Sequence, residues 1–143
     1  MKRLQVTSVC LISAMLTVNG QAFAHGNEKH SEPVHMDAQM QKLHAMMPVF
    51  SVASAGLESA LEKGDIAGAD SEAGKMLEAL PDLKKSRPHK HIKQRSEFVR
   101  LASDFEAKLI SVRDLARKGE FKGAKSEFKK LEAVCAKCHA RFR

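Results

Sequence analysis

From Phe121 to the end of the chain, the positions Phe121, Ala124, Phe128, Leu131, Cys135, Cys138 and Phe142 recur at alternating steps of three and four. That spacing draws one stripe along an α-helix, and a stripe so apolar needs other helices to cover it. Both cysteines of the run Cys135-Ala136-Lys137-Cys138-His139 lie on the stripe. A chain folding this way presents two thiols to its interior, with the His139 imidazole projecting along the same side.

Three earlier stretches carry the same period. In the first, Met36, Met40, Leu43, Met47, Phe50, Ser54, Leu57 and Leu61 form a seam, with Pro48 expected to kink the helix near Met47. Lys63-Gly64-Asp65 ends it, Gly64 serving as a left-handed stop. The second stretch places Ile66, Ala69, Ala73, Met76 and Leu80 on one face and is expected to close at Pro81-Asp82. A basic loop (Lys84, Lys85, Arg87, Lys90, Lys93) follows, with Pro88 suited to the first turn of the next helix. The third helix repeats the seam at Phe98, Ala102, Phe105, Leu109, Val112 and Ala116 and stops at Lys118-Gly119.

The segment from Lys63 to Glu72 echoes that from Lys118 to Glu127, each opening Lys-Gly-acidic. Read as a repeat, the echo gives two helical hairpins related by pseudo-symmetry; read as turn chemistry alone, it still pairs the helices antiparallel. The expected fold is therefore all-α, an antiparallel four-helix bundle spanning residues 35–143.

The C-x-x-C-H spacing is that of covalent c-type haem attachment. Two thiols three residues apart can add across the two vinyl groups of one porphyrin, and the adjoining imidazole can take an axial position on its iron. Cys135 and Cys138 are thus candidate thioether residues and His139 a candidate proximal ligand. The competing chemistry is weaker. Structural zinc normally takes a second short-spaced ligand pair; no second Cys pair exists, and His89 and His91, which could complete a set, lie far upstream in a basic stretch. A thioredoxin-like redox motif sits in strand–helix alternation, which this chain lacks.

The other end of the chain agrees. Met1-Lys2-Arg3 is a basic start, Leu4 to Val18 is largely apolar, and Ala22-Phe23-Ala24 fits a signal-peptidase site before His25. The expectation is a signal peptide over 1–24, a polar arm over 25–34, and a periplasmic protein with no membrane span. Cys10 would leave with the leader, so no disulfide framework remains. Losing Lys2 and Arg3 takes the formal net charge from +7 to about +5, which suits an acidic redox partner. Trp and Tyr are both absent, which argues against base-stacking surfaces and so against nucleic acid. No candidate nucleophile–base pair is present, so no enzymatic activity is expected.

Taken together, the leader, the four helical stretches, the Lys-Gly turns after the first and third, and C-x-x-C-H at the extreme C-terminus resemble class II cytochromes c, the cytochrome c′ family. The likeness covers about Met36 to Arg143 and includes the closing Phe142-Arg143. It implies one covalent haem c in a bundle that often dimerises through its first two helices. Low-spin members place Met from the first helix on the iron and carry single electrons. High-spin members leave that position open to nitric oxide or carbon monoxide. Here the family register lands beside Pro48, and the Arg expected a turn earlier is replaced by nothing closer than Lys42. The seam favours Met47 as distal ligand and a low-spin electron carrier. Met46, Met40 and His44 are the alternatives, and His89 and His91 read as solvated loop residues.

Overall fold

The computed structural model describes residues 38–143. The expected leader, the arm and Met36 lie outside the described residues. Among those described, all regular structure is helical: α1 (Ala38–Lys63), α2 (Ile66–Lys85), a 3₁₀ turn (Ile92–Gln94), α3 (Arg95–Arg117) and α4 (Phe121–Phe142).

The two hairpin turns are built alike. Gly64 and Gly119 hold φ of 69° and 76°, a region in which a β-carbon is strained. After each, the next residue's N–H reaches back five positions at 2.9 Å, Asp65 to the Ala60 carbonyl and Glu120 to the Leu115 carbonyl. The Asp65 carboxylate additionally accepts from the Gly68 N–H at 2.9 Å, capping α2. Such short joints make α1/α2 and α3/α4 antiparallel neighbours. Along the bundle α2 also packs on α3, and α4 closes against α1 over the shortest stretch.

One central core draws on all four helices: Ala53, Leu57 and Leu61 of α1, Ala73, Met76 and Leu80 of α2, Phe105, Leu109 and Val112 of α3, and Phe128 and Leu131 of α4. The α1 seam differs from expectation in its small residues. Ala53 and Ala60 are buried whereas Ser54 is only half-buried. α1 and α2 approach closely enough that a β-carbon on Gly56 would meet Glu72 at 3.0 Å and one on Gly68 would meet Ala60 at 3.3 Å. Only small side chains fit such a seam. Ile66 is 44% exposed instead of facing the core, because it opens α2 directly after the Asp65 cap.

Pro81 does not close α2 as expected; the helix continues to Lys85, and Pro48 lies inside a continuous α1. Each proline is exposed, so the carbonyl that loses its N–H partner lies on the wet face of the helix, where water can replace it. Beyond Pro81, Leu83 still packs against both apolar clusters, and the Arg95 guanidinium donates to the Lys84 and Ser86 carbonyls at 2.8 and 2.6 Å. Lys84 and Lys85 therefore belong to α2, not to a loop, and Lys84 pairs with Glu106 at 2.5 Å. Pro88 does not start a helix either. It is buried in the connection, and α3 begins only at Arg95.

That connection closes one end of the bundle. The Lys90 N–H donates to the Phe142 carbonyl at 3.3 Å, and Arg141 of α4 donates to Gln94 at 2.8 Å. Near it the core divides. Phe98, Leu101 and Phe142 form a second cluster that draws on α3 and α4 but not on α1.

Candidate functional site

The cysteines stand where the two clusters part. Cys135 packs on the central core and Cys138 on the Phe98–Leu101–Phe142 cluster. Both are free, half-buried thiols. Burial, helped by Cys138 and Glu132, pushes the Cys135 thiol up to about 11, and burial alone raises Cys138. Both therefore stay as neutral S–H near pH 7, unlike the acidic thiols of disulfide oxidoreductases. Among the described residues no group of three His, Cys, Asp or Glu side chains converges, so the pair lacks the further ligands of a structural zinc site.

His139 is exposed, beside the buried stripe rather than within it. Its direction follows from the other end of α4. A β-carbon on Gly64 would lie 3.5 Å from the Phe121 ring, so Phe121 marks the α4 flank that faces α1. His139 is about five whole turns further on, and hence on that same flank. The opposite flank faces α3: Gly123 approaches Leu115 there, and Lys137, Ala140 and Arg141 line a shallow groove with Glu97 and Leu101.

The same anchor sets the levels. α1 and α4 are antiparallel and rise equally per residue, so stepping back from Gly64 and forward from Phe121 pairs His139 with Met46, Cys138 with Met47 and Cys135 with Phe50. Phe50 and Cys135 both pack against the central core. Met46 and Met47 are both half-buried and belong to neither apolar cluster. Met46 shares its heptad position with Ala53 and Ala60, on the side turned toward α2. Met47 shares its position with Ser54 and the buried Leu61.

Met40 lies beyond the level of the α4 terminus and is also half-buried. His44 is exposed, and its ring meets that of His89 edge to face, 4.6 Å between centroids and 90° between planes. The sequence reading missed this contact and treated His89 as solvated. It is half-buried, and burial, followed by His44 and Lys90, holds its imidazole below the usual range. His91 is exposed, with φ of 54° and its ring 6.4 Å from that of Phe142.

Two thiols on the apolar face of α4, one against each cluster, with an exposed imidazole beside them, are donors that a haem could use. No family model matches this chain, and no curated protein or solved structure matches it.

Proposed function

We propose that the chain is a monohaem c-type cytochrome that carries single electrons. Cys135 and Cys138 would hold the haem through two thioethers, His139 would bind the iron on one side, and Met47 on the other. A haem held there supplies a one-electron iron couple; the helices supply a rigid, apolar setting that changes little between oxidation states. The observation that supports this reading is the C-x-x-C-H run on the apolar stripe of α4, with Cys135 packed on the central core and Cys138 on the Phe98–Leu101–Phe142 cluster. Met47 is preferred because it continues the apolar seam of α1 that carries the buried Leu61.

Cys135 and Cys138 remain protonated until they react, which keeps them from pairing with each other or with stray metal. Phe50 packs edge to face on Phe105 at 5.6 Å between centroids, adding apolar bulk beside Cys135 on the central core. The end bearing the C-x-x-C-H motif exposes Arg87, Lys90, Lys93, Lys137 and Arg143. This basic rim suits an acidic redox partner whose approach weakens with salt. A periplasmic location follows from the leader reading. Val49 and Val52, 45% and 72% exposed on α1, suit a homodimer through the first helices. No helix among the described residues is long and apolar enough to cross a membrane.

The test is the absorption spectrum of purified holoprotein, oxidised and reduced. The electron carrier predicts low-spin bands with a weak far-red feature from Met sulfur on ferric iron. That feature disappears in Met47→Ala and survives in Met46→Ala. A high-spin spectrum with rapid carbon monoxide uptake would instead make the protein a gas binder with an open distal face.

A further inference from the structure

We propose that Met40, His44 and His89 form a site for monovalent copper at the closed end of the bundle, next to the haem cleft and distinct from it. The proposal rests on Met47, not His44 or Met40, serving the iron of any attached haem.

The two imidazoles come from different elements yet already touch, with centroids 4.6 Å apart and planes at 90°. Small rotations about each side chain turn such a pair from ring contact to two nitrogens aimed at one point. His89 is held by a fixed backbone. Its neighbour Lys90 donates to the Phe142 carbonyl at 3.3 Å, Pro88 is buried, and Arg95 clamps the Ser86 and Lys84 carbonyls. His44 stands on α1, whose helix is continuous at this point. Both donors are therefore positioned before any ion arrives, which lowers the ordering cost of binding.

The third donor follows from helical spacing. Met40 precedes His44 by one turn and shares its face, and its side chain is half-buried at the same end. No third His, Cys, Asp or Glu joins the pair among the described residues, so the set is two imidazoles and a thioether. Thioether sulfur selects Cu(I) over Zn²⁺ and over hard cations, and three-coordinate geometry suits that ion. His44 lies level with Arg141, a turn beyond Met47, so the thioether proposed for the iron and the one proposed for copper are separate.

The test titrates Cu(I), anaerobically and against a chromogenic chelator, into the full chain with haem attached. If the chain carries no haem, Cys135 and Cys138 are alkylated first so that thiols cannot compete. The expected result is one tightly held equivalent, with nitrogen and sulfur neighbours in X-ray absorption. His44→Leu/His89→Leu loses that equivalent while helical circular dichroism and any haem spectrum stay unchanged. Met40→Leu weakens binding at least ~10-fold and removes the sulfur signal. Copper retained in full by the double variant, no copper bound by the wild type, or Zn²⁺ displacing Cu(I) at equal concentration would each overturn the site. A failure of the haem reading shows separately, as a colourless chain.

Discussion

Phe121 rests on Gly64, where α1 ends and α4 begins, at a distance that would leave a β-carbon on Gly64 in ordinary 3.5 Å contact. This contact ties the start of α4 to the turn between α1 and α2. Stepping along ideal antiparallel helices from it puts His139 at about the level of Met46 and Met47.

Because the space at Gly64 is adequate, its replacement is costly only through the backbone. Gly64→Ala and Gly119→Ala, at φ of 69° and 76° and with open space at the latter, should each lose about 1–2 kcal/mol. For a domain of this size that is a fall of several degrees in Tm per variant. Calorimetry checks it, and the two losses should be nearly equal. A much larger loss at Gly64 would mean that the Phe121 contact is tighter than described.

The central core and the exposed apolar positions of α1 separate cleanly. Leu57, fully buried, should cost about 2–5 kcal/mol on replacement by Ala. Val52, 72% exposed on the same helix, should change stability by no more than about 0.5 kcal/mol. Urea unfolding of the two variants gives both numbers.

The haem-free chain has its own pH signature. Burial raises the Cys135 thiol from 9.0 to about 11, so the unfolded chain gives up this proton first. Stability conferred by the buried neutral thiol is intact below pH 9 and declines as pH climbs toward 11. Alkylation of folded Cys135 should stay slow at pH 8 and quicken about tenfold per pH unit toward 11, while a denatured control reacts fast already near pH 9. Equal rates for folded and denatured chains at pH 8 would contradict the burial.

Exposed ion pairs give the opposite expectation. Arg117 donates to Asp70 at 2.7 Å and holds its carboxyl below the usual range, so whatever the pair contributes is present above pH 3.8 and fades as pH falls below it. Asp70→Asn should remove that acid dependence with little change in Tm at pH 7. Calorimetry at pH 3 and pH 7 reads both.

Much of this architecture was legible in the sequence, and the physics shows why. Gly64 and Gly119 follow good helices and precede acidic starts, and both adopt the expected positive φ. The α3 and α4 seams, from Phe98 to Ala116 and from Ala124 to Phe142, are buried or half-buried as their period requires. Pro81 misled because a proline removes one backbone hydrogen bond, and that loss is small when it faces water and the helix beyond still packs apolar residues. Ala53 and Ala60 were passed over because periodicity registers bulk, whereas this seam selects for smallness. The His44–His89 contact had no local signal at all. It joins a helix to an irregular segment far away in sequence, held in place by hydrogen bonds from Lys90 and Arg95 that no periodic pattern encodes.

The most direct measurement is the intact mass and colour of the chain produced in a host equipped for c-type haem maturation. The account predicts a red protein heavier by one haem, its pigment retained through acid–acetone extraction and traced to the peptide holding Cys135 and Cys138. A colourless product at the unmodified mass, with both sulfurs open to alkylation, would contradict it.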